Sequence, residues 1–194
     1  MESLKIAVQN LCPEIEEKDF DLFIPHLKLC SLVKGSMLYP EGTIHGNIAF
    51  VCSGLLRCFY WDEKGEFKNT RFIAENDYAV DYTSFLEQTP SKANLVALED
   101  SVLILISRES FYNAAACSMK WEKFARMMAE QVLRRIQKKL DSHLGKTPEQ
   151  RYLEIITERP EVACRVPLYH LASYLGIKRE SLSRIRKRIS KLRL

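Results

Sequence analysis

The 194-residue sequence has no apolar run near the roughly 20 residues that a membrane span requires, so no membrane partner is expected. Its six cysteines, Cys12, Cys30, Cys52, Cys58, Cys117 and Cys164, form no C-x-x-C pair, and no histidine stands at zinc-finger spacing from them. No leader-like pattern precedes them, which leads to an expectation of reduced, mostly buried thiols in a cytoplasmic protein. His26, His45, His143 and His170 are scattered, so the paired histidines of a cupin-like metalloenzyme are missing and no metal site is expected. No glycine-rich phosphate loop or nucleophile elbow is found either. Catalysis is therefore not expected, and neither repeats nor low-complexity tracts suggest a solenoid or a disordered tail.

What is present is an ordinary globular composition, 46% hydrophobic and 28% charged, with an uneven distribution of charge. From Lys146 onward 12 Lys and Arg face 5 Asp and Glu, a net +7; residues 1–145 carry 17 against 20, a net −3. A basic end on a slightly acidic body suits a polyanion-facing module, although a solvated cationic helix would show the same charge.

The pattern of side chains divides the chain. Pro13 is placed for the first turn of a short helix within 14–25. Short apolar runs then alternate with turn signals such as Lys34-Gly35, Glu41-Gly42, Ser53-Gly54 and Lys64-Gly65. They predict strands at 36–39, 47–52, 55–61, 67–73, 93–98 and 102–106, with a hairpin at Glu99-Asp100-Ser101, in an all-β sandwich or barrel. From Arg108 the period becomes helical. Trp121, Phe124, Met128, Val132, Ile136 and Leu140 recur at steps of three and four and predict a helix of about 20 residues or more. Its apolar face either lies on its own barrel or pairs with a second subunit; its length favours a dimer helix at 117–141. Gly145 marks a hinge. Thr147 then N-caps a new helix with Pro148 at its first position and Gln150 closing a capping box. Arg159-Pro160 ends that helix, and 162–166 read as a short strand.

Residues 168–189, LYHLASYLGIKRESLSRIRKRI, fit a helix-turn-helix position by position. Leu171 and Leu175 are i,i+4 partners on a first helix, and Ala172 lets two helices cross closely. Gly176 supplies the positive φ of a tight turn, and Ile177 fills the corner. Leu182, Ile185, Ile189 and Leu192 form the buried stripe of a second helix. The opposite side carries Arg179, Glu180, Ser183, Arg184 and Lys187. Arginine pairs with guanine O6 and N7, and glutamate accepts from cytosine N4, so Arg179, Glu180, Ser183 and Arg184 are the candidate base readers in double-stranded DNA. Lys178, Lys187 and Arg188, with Arg186, Lys191 and Arg193, are placed for phosphates. A lone acid among eight basic residues in 178–193 is easier to explain as a specificity contact than as decoration.

The run Lys178-Arg179-Glu180-Ser181-Leu182-Ser183-Arg184 resembles the recognition helix of the Crp/Fnr, or catabolite activator, family. The order of elements is similar too, with the Lys34-Gly35, Glu41-Gly42 and Gly54 turns falling where that family's β-roll turns. The resemblance implies an α+β fold: a β-roll (double-stranded β-helix, cyclic-nucleotide-binding-like) over 1–116, a long dimerisation helix and hinge over 117–145, and a winged helix-turn-helix over 146–194. It implies Tyr169 and Ser181 as phosphate contacts, a homodimer reading an inverted repeat, and RNA polymerase as a further partner.

The sensor departs from that pattern. Where cyclic-nucleotide binders carry Gly-Glu and later Arg-Ser/Thr-Ala, this chain has Val80-Asp81 and Ser91-Lys92-Ala93. Valine blocks the close backbone approach and serine replaces the arginine that meets the cyclic phosphate. Lys92 is a point charge expected to leave the opposite face. Cyclic AMP and GMP are therefore not expected as ligands; the site holds another small effector or is filled by its own side chains. With only Cys12 near the start, an iron–sulfur centre is not expected; His26, His45, His143 and Cys52 leave haem open, but lone residues of these types are usually structural or surface groups, so no cofactor is expected. The competing reading is a ligand-binding β-barrel whose C-terminal helices contact protein and not DNA.

Overall fold

A computed structural model describes residues 1–192. Arg193, and the side chains of Lys191 and Leu192, lie outside what is described.

The chain opens with helix α1 (Glu2–Leu11), which buries Leu4 and Val8. Two 3-10 turns follow, at Glu17–Leu22 and Ile24–His26. Eight strands come next: β1 (Leu27–Leu32), β2 (Met37–Tyr39), β3 (Asn47–Ser53), β4 (Leu56–Trp61), β5 (Phe67–Ile73), β6 (Tyr78–Ala79), β7 (Asn94–Ala97) and β8 (Ser101–Ser107), with helix α2 (Tyr82–Glu87) between β6 and β7. They form two antiparallel four-stranded sheets, ordered β1-β8-β3-β6 and β2-β7-β4-β5. Ala49, Val51, Leu56, Ile73, Leu95 and Leu103 fill the space between the sheets. Strand β3 is apolar on both faces for a reason. Ala49 and Val51 point to the other sheet, whereas Ile48 and Phe50 point to α1 and the helices that follow the sheets.

The six predicted strands are all present, but the expected hairpin at Glu99-Asp100-Ser101 is not. β7 pairs with β2 and β4, and β8 pairs with β1 and β3, so this turn crosses between sheets. A turn signal says that the chain reverses, not which strand it pairs with afterwards. Gly54 shows how closely the crossing packs: at φ +102°, a Cβ there would stand 2.7 Å from the Asp100 carbonyl oxygen.

Helix α3 (Arg108–Cys117) leads into α4 (Met119–Gly145), which has two environments. In its first half Trp121, Phe124 and Met128 are buried against α1 and the β-sheets, in one cluster with Phe20, Phe23 and Phe50. The Trp121 indole donates to the Asp19 carbonyl at 3.1 Å. These three side chains are covered within the chain itself, which corrects their assignment to a dimer face. Val132 is half-buried; beyond it the apolar side chains stand free, with Leu133 63%, Ile136 61%, Leu140 56% and Leu144 79% exposed.

Helices α5 (Pro148–Glu158), α6 (Pro160–Arg165), α7 (Leu168–Leu175) and α8 (Arg179–Leu192) complete the chain. The Thr147–Gln150 capping box closes as expected. Residues 162–165 are helical, not a strand: Pro160 starts a helix that Val166 caps in extended conformation, and Val162 and Val166 are both buried. Among the described residues no strand follows β8, so the expected wing has no counterpart there. Helices α5 to α8 share a core with the outside of the β-sheets, in which Leu55, Phe72 and Ala74 join Tyr152, Val162, Leu171, Leu175 and Leu182. Of the six free cysteines only Cys12 is fully buried; Cys117 and Cys164 are exposed, contrary to the expectation of mostly buried thiols.

Candidate nucleic-acid interface

Gly176, at φ +70°, ends α7, and the Ile177 amide donates back to the Ala172 carbonyl at 3.0 Å. The chain then turns through Lys178 into α8. Leu182 (fully buried) and Ile189 (7% exposed) seat that helix on α7, with Ile177 and Ile185 half-buried beside them. Fixing this stripe inward leaves Arg179, Glu180, Ser183, Arg184 and Lys187 exposed together on the other side. Among the described residues none of these charged side chains takes part in an ion pair. The result is a cationic helical ridge with one carboxylate in it.

The expected phosphate contacts are more varied. Lys178 is exposed and Ser181 half-buried. Arg188 is exposed but chelated by Glu149 from the first turn of α5, with Nε 3.0 Å from Oε1. Such an exposed pair contributes little and exchanges readily for a phosphate. Tyr169 is 48% exposed, its ring edge-on to Phe67 at 6.2 Å.

Helix α7 is docked on β5 by contacts that the sequence reading missed. Ser173 Oγ donates to the Phe67 carbonyl at 2.9 Å and accepts from the Asn69 amide at 3.0 Å. The Asn69 side chain donates to the His170 carbonyl at 3.0 Å. Burial, together with the charge of nearby Arg57, holds the His170 pKa down at about 4. Arg57 itself lies over the rings of Phe59 and Phe67, at 3.9 and 4.9 Å. No periodic signal announces such contacts, because the partners lie about a hundred residues apart.

The residues expected at a degenerate effector pocket are only partly together. Asp81 caps α2, its Oδ1 accepting from the Thr83 amide at 3.2 Å, and its Oδ2 accepts from Ser91 Oγ at 2.6 Å. The Asp81 amide donates to His45 Nδ1 at 3.0 Å. Ser91 is buried and also accepts from the Ala93 amide at 2.9 Å. Lys92 points into solvent, and Val80 packs toward the α1–α4 cluster. Both carboxylate oxygens of Asp81 are thus committed within the protein. Among the described residues no group of three His, Cys, Asp or Glu is placed to hold a metal, and no helix is long and apolar enough to cross a membrane.

The cyclic nucleotide-binding domain family model matches residues 29–130. Among solved structures, FixK2 from Bradyrhizobium japonicum is 21% identical, with 86% of this chain and 85% of that one covered at a TM-score of 0.74. The c-di-GMP responsive global regulator CLP from Xanthomonas campestris is 16% identical, covering 91% and 92% at 0.70. The catabolite activator protein of Thermus thermophilus is 18% identical, covering 93% and 86% at 0.59. At these identities the likeness is one of fold: a β-sheet domain followed by C-terminal helices. No curated protein matches the sequence.

Proposed function

The chain belongs to the cyclic nucleotide-binding domain family, and from that premise we propose that it is a Crp/Fnr-type transcription regulator acting as a homodimer on double-stranded DNA. The observation that carries this reading is the α8 ridge: Arg179, Glu180, Ser183 and Arg184 exposed together above the buried Leu182 and Ile189. In the proposed complex Arg179 and Arg184 read guanine edges, Glu180 accepts from cytosine, and Ser183 assists. Tyr169, Lys178, Ser181, Lys187 and Arg188 hold phosphates and set the register. Two subunits pair along the exposed Leu133–Leu144 stripe of α4 and present their α8 helices to successive major grooves roughly 34 Å apart. RNA polymerase is the further partner that the family resemblance implies, and a cytoplasmic location follows from the same role.

Cyclic AMP is not the effector in this proposal. The support is the Asp81–Ser91 pair, which occupies the acid a ribose would need, together with the lack of an arginine at Ser91 to meet a cyclic phosphate. Selection of bound sites from random duplex DNA at low ionic strength tests the whole reading. Enrichment of an inverted repeat, unchanged by cyclic AMP, is the expected result. Failure to retain any duplex would overturn it.

A further inference from the structure

Three parts of the chain meet around a cavity of about 500 Å³: β5 with the turn after it, the second half of α4, and helices α5 to α7. That size is ordinary for a small-molecule site. Phe72, Ile155, Val162, Tyr174 and Leu175 give it apolar walls.

Its charges do not balance. Six Lys and Arg side chains line it against four carboxylates. Every one of those carboxylates already holds a cation: Glu75 holds Arg165 at 2.7 Å, Asp77 holds Arg135 at 2.6 Å, Glu154 holds Lys146 at 3.0 Å and Glu158 holds Lys138 at 2.6 Å. Among the described residues, Lys139 and Arg151 have no carboxylate partner. The Lys139 ammonium donates to the Thr70 carbonyl and lies 4.7 Å above the Tyr174 ring. Arg151 donates to the carbonyls of Lys146 and Leu175, at 2.8 and 2.9 Å, and its Nε is buried without a partner. Burying cations without counter-charge is costly, and an anion in the cavity would offset that cost. Burial alone pulls the Lys139 pKa down to about 8, in keeping with the missing carboxylate.

We propose that this cavity binds a small organic anion, its acidic headgroup on Lys139 and Arg151 and its flat apolar body against Tyr174 and Phe72. Because the walls come from the sensor sheet, the long helix and the α5–α7 helices together, the ligand favours the arrangement in which all three are docked. That regulatory consequence rests on the DNA-binding reading; the binding itself does not.

The test uses the full chain and the fluorescent probe 1-anilinonaphthalene-8-sulfonate, an aromatic anion of this class, without DNA. The expected result is saturable enhancement from one site per chain. Lys139→Met should weaken it about tenfold, the loss of one charge-assisted contact. Lys139→Arg should retain it, and Tyr174→Leu should weaken it several-fold, with circular dichroism confirming that each variant is folded. Binding unchanged in both Lys139→Met and Tyr174→Leu overturns the proposal. So does a probe signal lost in Leu140→Lys and kept in Lys139→Met, which would place the probe on the exposed stripe of α4. Since no DNA is present, either result stands whether or not the chain reads duplex DNA.

Discussion

Arg165 grips Glu75 with both terminal nitrogens, Nη1 to Oε2 at 2.7 Å and Nη2 to Oε1 at 2.9 Å, and its Nε and Nη2 also reach Glu99. The pair ties α6 to the turn after β5 and to the crossing between the sheets, while Glu75 also accepts from the Gly54 amide at 2.9 Å. One planar guanidinium thus joins the C-terminal helices to two loops of the β-sheets.

Arg165→Met should therefore loosen the docking, and by more than a surface ion pair would. It removes five hydrogen bonds and leaves two carboxylates facing each other. We expect a loss of about 1–3 kcal/mol in chemical denaturation, discounted for the partial exposure of all three groups. Amide exchange should accelerate in α6 and α7 before it does in β3. The hydrogen bond from Arg165 holds the Glu75 carboxyl down at about 2, against 4.5 when free. The folded state thus releases that proton more readily, and the stabilisation is complete above about pH 4.5 and fades as pH falls toward 2. Arg165→Met should flatten that acid limb.

His170 supplies a second acid response, in a different window. Its ring is buried between α7 and β5, and burial first, then Arg57, lowers its pKa from 6.5 to about 4. Between those values the unfolded chain binds a proton that the folded one does not. Stability is thus fully present above about pH 6.5 and declines as pH falls to 4. Melting temperatures measured across pH 7 to 4 should show this slope in the wild type and a shallower one in His170→Phe, a ring suited to the neighbouring Phe67 and Tyr169. Equal slopes would show that His170 does not govern the response.

The strands and the α7–turn–α8 helix pair were legible in the sequence because their causes are local. Turn residues bracket each strand, and Gly176, Ala172 and Leu182 occupy positions that only one geometry uses. Edge strand β1 was missed because Leu29, 74% exposed, breaks its alternation, and β6 because two residues carry no period. The apolar recurrence along α4 marks a long helix, but a stripe does not say what covers it: Phe20, Phe23 and Val8 cover its first half from within the chain. Contacts such as Ser173 with Asn69 and Lys139 with Tyr174 depend on docking between distant segments, so neither the docked face nor the cavity left a local signature.

On the α8 ridge, Arg184 and Lys187 should separate in their effects on DNA. Arg184→Ala removes a planar fork suited to guanine, costing about 1–3 kcal/mol and relaxing one base position in a competition between operator variants. Lys187→Ala removes a point charge suited to phosphate, weakening all duplexes alike and lowering the salt slope by about one. A uniform loss in both variants would show that the two side chains do not divide the work in this way.

The two halves of α4 should respond differently to substitution. Leu133, Ile136, Leu140 and Leu144 recur at steps of three and four, all more than half exposed, and so form a continuous apolar seam without a cover in one chain. Leu140→Lys should therefore leave the fold intact and shift the protein from dimer to monomer in sedimentation velocity, with DNA affinity lost because two half-sites can no longer be held at once. Trp121→Ala should do the opposite. It opens a hole between α1 and the sheets and severs the bond to the Asp19 carbonyl, costing about 3–5 kcal/mol of stability. If Leu140→Lys sedimented as the wild type does, the seam would not be the contact between subunits.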